Sequence, residues 1–362
     1  MKASTTNHCK PTAVVRDQRF LDHITEEGHP ENAGRLAAVY EMLDTGNLQN
    51  QLLFLEPREA DRENLIRVHA PLYVDKIAAT ALREFCRLTP DTTTSPGSYL
   101  AARLAAGGTI GAIEAVHAGS ARNAFVIARP PGHHAENSKA MGYCLFNNIA
   151  VGAAYAVEEL GYRRVLIVDW DLHHGNGTQH IFEADDKILF FSIHQHPLFP
   201  GTGLFTDVGL GRGEGYTCNI PLSRGYGDAE YLFLFENALH PMAAEFKPEL
   251  ILVSAGFDTY HADPLGGMAI SRKGFADLTR SLLAVAERLC HGKIVFALEG
   301  GYHHKGLPVC IQAVLQEMLN PDGNPVEIDQ GRLHRKKANY ALKRCHLVHR
   351  GFWKCFQEVS YG

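Results

Sequence analysis

Residues 165–177, Val-Leu-Ile-Val-Asp-Trp-Asp-Leu-His-His-Gly-Asn-Gly, constrain the fold more than any other stretch of this chain. The first four are apolar and mostly β-branched, which describes a strand buried on both faces, the habit of a central strand in a parallel sheet. The run then turns polar at once. If the backbone stays extended, Asp169, Asp171 and His173 stand at i, i+2 and i+4 and leave one face together. Gly175 and Gly177 permit a tight turn into a helix. The polar cluster is thereby placed at the carboxyl end of a strand, where open α/β sheets bind their ligands.

The same pattern recurs along the chain. The apolar run at residues 124–128 ends in Arg129-Pro-Pro-Gly-His-His134, and that at 188–193 ends in His194 and a Pro/Gly-rich loop to Gly203. Residues 250–254 lead to Asp258, and 294–298 lead to Glu299-Gly-Gly-Tyr302. Residues 36–53, 65–88, 99–116 and 149–160 have helical spacing of apolar side chains, while the Thr-rich run 89–97 breaks it. A loop, Gly28-His29-Pro30-Glu31-Asn32, leads into a helix near Ala33, with Arg35 at its entry. Strands alternating with helices predict a three-layer α/β fold with a mostly parallel central sheet and helices on both faces.

With 362 residues and 45% hydrophobic content the chain can bury a large core, and no linker divides it, so one domain over 1–362 is expected. A net charge of −5 gives no global reason to expect a nucleic acid or an anionic membrane as partner. There is no apolar h-region behind a charged start and no apolar run long enough to span a bilayer; a cytoplasmic location is expected. The eight cysteines, from Cys9 to Cys355, form no C-x-x-C pair and read as reduced thiols. Residues 331–362 are basic, with Leu342, Leu347, Phe352 and Trp353 interleaved, and read as a solvated helix packing an apolar stripe on the body. The sharper alternative is a docking surface for an acidic partner.

Asp171, His173 and Asp258 would offer two oxygens and one nitrogen, a set that suits Zn²⁺ and tolerates Fe²⁺. Three protein ligands leave a position for water and point to amide or ester hydrolysis. His133 and His134, on a loop stiffened by Pro130 and Pro131, supply imidazoles for proton transfer. Tyr302 could donate to a developing oxyanion. Each signal alone has a plain competitor: Asp-x-Asp-x-His as a helix cap, His-His as a surface pair, Asp258 as a turn residue, Gly-Gly-Tyr as a loop. Their recurrence at strand ends is what favours a site.

With Arg129-Pro-Pro-Gly-His-His134, Gly142-Tyr-Cys-Leu-Phe-Asn-Asn148, Asp169-Trp-Asp-Leu-His-His-Gly-Asn-Gly177, Phe199-Pro-Gly-Thr-Gly203, Ala255-Gly-Phe-Asp258, Asp263-Pro264 and Glu299-Gly-Gly-Tyr302, the chain resembles the zinc-dependent histone deacetylase family, especially its class II-like and bacterial members. The resemblance runs over about residues 20–319 and implies the arginase/deacetylase fold. It implies Zn²⁺ on Asp171, His173 and Asp258, His134 as general base and acid, and His133 in electrostatic support. Asp169 would orient His133. Asn176 would orient His134, at a position where the family has Asp or Asn, so this partner is neutral. Tyr302 would bind the substrate carbonyl, Gly142 would accept from the scissile N–H, and Tyr143 and Phe199 would wall a tunnel for the lysine stem. Asp91 would be a rim carboxylate. Structural K⁺ is implied at Asp169, Asp171, His173, Ser192 and Ile193, and more loosely at Phe182, Asp185, Ile188 and Tyr216. Arg35 matches an arginine beside the family's internal acetate channel. Relatives acting on acetylated polyamines carry an acidic gatekeeper where this chain has Leu265.

The resemblance implies hydrolysis of acyl-lysine in a peptide or protein, with no direct nucleic acid or membrane partner; homo-oligomerisation is left open. The alternatives are small-molecule deacetylation, for instance of acetylpolyamines, and a non-catalytic acyl-lysine-binding scaffold, against which the intact histidine pair and tyrosine argue.

Overall fold

The computed structural model describes residues 10–320 and 326–357; Cys9 and residues 358–362 of the basic segment lie outside these. Ten strands are present among the described residues: β1 (Thr12–Val15), β2 (Leu52–Leu55), β3 (Cys86–Thr89), β4 (Thr92–Thr94), β5 (Asn123–Val126), β6 (Val165–Asp169), β7 (Ile188–Gln195), β8 (Thr217–Leu222), β9 (Leu250–Ala255) and β10 (Ile294–Leu298). Eight form one sheet in the order β2-β1-β5-β10-β9-β6-β7-β8, all paired in parallel. Every residue of β5, β6, β7, β9 and β10 is buried, as continuous apolar runs require when both faces are covered. Helices Ser98–Ala118 and Asn148–Glu158 pack together in one layer, and Ala33–Thr45, Gly306–Leu319 and Arg272–Cys290 in another.

The strand order fixes where a ligand can sit. From β6 the chain moves outward to β7 and β8, then returns to β9 on the other side of β6 and continues away to β10. Connections leaving β6 and β9 therefore diverge, which opens a crevice at their carboxyl ends. The strands expected to deliver polar groups, β5, β10, β9 and β6, are four consecutive neighbours in the middle of the sheet.

Local chemistry overrides periodicity in several places. The helix expected over 36–53 stops at Thr45, where the Gly46 N–H caps Met42, and the run Leu-Leu-Phe-Leu that follows becomes the edge strand β2. Residues 65–88 are not one helix: Pro71, which lacks an N–H, starts a new helix at Pro71–Ala78, and β3 follows. The Thr-rich run does more than break a helix, since its β-branched residues form β4 and pair antiparallel with β3. Strand β8 has no counterpart in the sequence reading because Pro221 interrupts its pattern; as an edge strand it tolerates a residue without an N–H.

Helix Arg335–His349 packs against β8 with Ala338, Ala341, Leu342 and Cys345 buried. Trp353 is buried and donates to the Gly215 carbonyl at 2.8 Å, whereas Leu347 and Phe352 stay half exposed. Cys218 and Cys345 lie with their sulfurs 3.6 Å apart as free thiols. No helix among the described residues is long and apolar enough to cross a membrane.

Candidate active site

Strand β6 ends at Asp169, and the chain beyond it is held by its own carboxylates. Asp169 Oδ1 accepts from Asp171 N at 3.0 Å, and Asp171 Oδ1 accepts from His173 N at 2.8 Å. Trp170 and Leu172 alternate into the core, where Trp170 meets Phe275 and Phe296. Of the three side chains expected to leave one face together, Asp171 and His173 join Asp258, while Asp169 turns to His133.

Asp171, His173 and Asp258 each present one ligand atom, all within 4.8 Å of one another. His173 Nδ1 lies 3.0 Å from Asp258 Oδ2 and 3.3 Å from Asp171 Oδ1. Burial opposes protonation of His173, yet the two carboxylates raise its pKa to about 9. A field that draws a proton there draws a cation as well, and two carboxylates with one imidazole are a donor set that fits a divalent ion. Glycines make this approach feasible. A Cβ on Gly256 would stand 2.0 Å from Asp171 Oδ2, and one on Gly300 would stand 2.3 Å from Asp258 Oδ2.

The histidine loop after β5 reaches the same place. His133 Nδ1 donates to Asp169 Oδ2 at 2.9 Å, and burial notwithstanding, Asp169 and Asp171 hold its pKa well above the ordinary value. The His134 ring lies 4.0 Å from that of His133, and its Nδ1 donates to Asn176 Oδ1 at 2.7 Å. Burial, followed by the charges of His133 and His173, keeps the His134 pKa well below the usual range, so this imidazole is a neutral base. One histidine is charged and the other is not, although they are adjacent in sequence.

Tyr302 is buried; burial raises its pKa well above 10, so it remains a donor. Its ring lies 6.0 Å from that of Tyr143, and the Arg35 guanidinium carbon stands 4.7 Å from the centroid of the Tyr302 ring. Phe199 is half exposed, with its ring 5.1 Å from that of His134. Gly142 and Tyr143 both take positive φ, 56° and 69°, and the β3–β4 hairpin grips them: Asp91 Oδ2 accepts from Gly142 N at 3.1 Å, and Thr92 Oγ1 from Tyr143 N at 3.1 Å. Leu265 donates its N–H to Asp263 at 3.0 Å.

Arg35 is buried and fully engaged, donating to the carbonyls of Gly301 (2.7 Å) and Glu299 (2.8 Å) and pairing with Glu31 at 3.0 Å. Ser192 pairs in register with Asp169 and lies 2.9 Å from His194 Nδ1; Ile193 follows it in β7. Phe182 and Asp185 share a turn, Ile188 opens β7, and the Tyr216 carbonyl accepts from Phe190 N.

Residues whose roles the sequence reading left unassigned hold the site in place. Glu299 accepts from Gly132 N and His133 N, at 2.6 and 3.1 Å, and so clamps the histidine loop. Asp263 accepts from Tyr302 N at 2.6 Å and His303 N at 3.1 Å. Glu31 bonds both Arg129 and Arg35. Glu299 and Asp263 were visible as motif members beside Tyr302 and Pro264, and Glu31 with Arg35 as an i, i+4 pair at a helix start.

Residues 29–318 match the family model for the histone deacetylase domain. The chain belongs to the histone deacetylase family. It is 37% identical to a probable deacetylase of Archaeoglobus fulgidus over 359 residues, which covers 96% of this chain and 99% of that protein. It is 40% identical to histone deacetylase 15 of Arabidopsis thaliana over 322 residues, covering 86% of this chain but only 57% of the longer plant protein. A crystal structure of the HDA15 HD domain superposes with a TM-score of 0.88 at 36% identity and 96% coverage of both chains. The fold is thus the α/β arginase/deacetylase fold, and the chain is a deacetylase-family hydrolase.

Proposed function

We propose that this deacetylase-family hydrolase uses Zn²⁺ to remove acetyl or other acyl groups from the ε-amine of lysine in peptides or proteins. The observation that carries this reading is the convergence of Asp171, His173 and Asp258 beside His134, with Tyr302 close enough to feel the charges of Asp258 and Asp171. A divalent ion held by those three ligands would supply the acidity that activates water and polarises an acyl carbonyl. His134 takes the proton from the attacking water on Nε2, because its Nδ1–H is committed to Asn176. His133 stays protonated against Asp169 and stabilises the negative charge that develops. Tyr302 donates to the carbonyl oxygen as it becomes an oxyanion. The Gly142 carbonyl accepts from the scissile N–H, and protonated His134 then releases the amine.

Tyr143 and Phe199 wall the approach, and an aliphatic stem between two rings fits the lysine side chain better than a bulky or charged group. Leu265 leaves this edge without the carboxylate that would select a polycationic amine. Asp91, whose carboxylate accepts from Gly142 N and from the Thr89 and Thr92 hydroxyls, would serve as the rim carboxylate for a substrate backbone N–H through its remaining lone pairs. The resemblance supports structural K⁺ at Ser192 and Ile193 and at Phe182, Asp185, Ile188 and Tyr216.

The test is a panel of acetyl-lysine peptides, longer acyl-lysines and acetylpolyamines, with kcat/KM and metal content measured on one sample. Peptide turnover abolished by His134→Ala and crippled by Tyr302→Phe is the expected result. Preference for acetylpolyamine, or full activity in both variants, would reject the reading.

A further inference from the structure

The neutral partner of the catalytic histidine is itself held by a charge. Asn176 Nδ2 donates to Glu136 Oε1, with the Met141 sulfur at 3.4 Å and the His134 carbonyl at 3.5 Å as further acceptors. Both Glu136 oxygens lie 2.9 Å from His180 Nδ1, whose side chain is 41% exposed. The backbone of Glu136 is fixed as well: its N–H donates to Lys139 O at 2.9 Å, and its carbonyl accepts from His69 Nδ1 at 2.9 Å. A chain of polar contacts therefore runs from His134 through Asn176 and Glu136 to His180 at the surface.

The direction of every bond in that chain follows from Glu136. A carboxylate only accepts, so the amide of Asn176 must turn its nitrogen toward Glu136 and its oxygen toward His134. That oxygen only accepts in turn, so His134 carries its hydrogen on Nδ1 and keeps the Nε2 lone pair. We propose that Glu136 is a positioning residue which, through the orientation of Asn176, sets the tautomer of His134. The inference rests on the functional reading above, because that reading asks Nε2 to take the proton. An aspartate at position 176 would accept from His134 whichever way it turned. An amide can point either way, and Glu136 removes the choice.

The test uses Glu136→Gln, whose side chain can donate as well as accept, and the double variant Glu136→Gln with Asn176→Asp, in which residue 176 accepts by itself. Turnover of an acetyl-lysine peptide is measured on metal-loaded protein. Ring ¹⁵N shifts of His134 are read on the same samples labelled with ¹⁵N-histidine, assigned by their loss in His134→Ala. Glu136→Gln should lower kcat roughly tenfold with KM changed less than about twofold, and a population with hydrogen on Nε2 should appear. The double variant should restore the Nδ1–H form and bring kcat back to within about threefold of the parent. An unchanged kcat and tautomer in Glu136→Gln, or a double variant no better than the single, would overturn the proposal. If the parent turns over no acetyl-lysine peptide, the functional reading fails, and the ring shifts alone decide the role of Glu136.

Discussion

Gly256→Ala is the smallest change that strikes the candidate metal centre without altering a ligand. The added carbon would stand 2.0 Å from Asp171 Oδ2 and 2.4 Å from its Cγ. Non-bonded heavy atoms settle near about 3.5 Å, so the carboxylate must retreat by roughly 1.5 Å. Retreat is expensive, because Asp171 is buried and accepts from His173 N at 2.8 Å and Gly300 N at 2.9 Å. Metal–ligand distances tolerate only about ±0.2 Å, so a shift of this size amounts to losing one of three protein ligands. Disturbing even the partners of a ligand weakens metal affinity about 10- to 100-fold, and displacing the ligand itself should exceed the upper end of that range. Affinity is measured by competition with a chromophoric chelator, alongside metal content per chain, circular dichroism and kcat. Gly111→Ala is the control: nothing lies within 4 Å of its added carbon, and in helix Ser98–Ala118 it should gain up to about 1 kcal/mol while binding metal as the parent does. A folded Gly256→Ala protein that holds metal within about threefold of the parent's affinity would refute the assignment of Asp171 as a ligand.

Tyr302→Phe should lower kcat by about 10²- to 10³-fold with little change in KM, since the hydroxyl is worth most as charge develops; steady-state kinetics on a peptide substrate check it. Burial lowers the His69 pKa to about 4, and its Nε2 must stay unprotonated to accept from Asn147 N at 2.9 Å. A folded-state pKa below the unfolded value contributes stability that is present above about pH 6.5 and lost as pH falls, about 3 kcal/mol by pH 4. Urea midpoints across that window should fall more steeply for the parent than for His69→Gln; equal slopes would refute it. Trp353→Ala removes a buried ring that bonds Gly215 O and meets Tyr216 at 5.6 Å, and should cost about 3–5 kcal/mol by denaturant unfolding.

The centre of the sheet was legible because burial on both faces leaves a mark in sequence. Strands β5, β6, β7, β9 and β10 are each built around an apolar run, and the polar residues that follow β5, β6, β9 and β10 meet at one edge as the alternation implies. The margins were not legible. Leu52–Leu55 has apolar spacing compatible with either element, and only its pairing with β1 decides it. Strand β8 contains Pro221, permitted solely because no further strand follows it in the sheet. Within the site, ligand identities follow from residue type and position after a strand, but partners that arrive from distant segments do not. Glu136 stands in a loop between His134 and Gly142, and nothing in its neighbours announces that it will meet Asn176, forty positions away. Such contacts are products of the fold rather than of local pattern.

Two buried charge clusters flank the same tyrosine, and their opposite logic separates scaffold from site. Glu31 is completely buried, but despite burial the Arg129 guanidinium and the His23 ring hold its carboxyl well below the usual range, and Arg35 pairs with it at 3.0 Å. That cluster closes on itself: Arg129 begins the histidine loop, and Arg35 backs Tyr302, so paired charge fixes two segments of the candidate site relative to each other. The second cluster does not close. Asp169, Asp171, Asp258 and Glu299 are all buried, and the cationic side chains facing them are the imidazoles of His133 and His173. Burial and the neighbouring carboxylates push Glu299 up to about 7 and Asp258 and Asp169 upward too, while His133 and His173 hold Asp171 below the usual range despite burial. Each buried ion costs several kcal/mol unless it is paired, and an apolar packing of the same volume would cost nothing comparable. Excess negative charge of this kind, gathered where β6 and β9 diverge, is what a fold built to hold a divalent cation requires and what a purely structural cluster, like the one around Glu31, avoids.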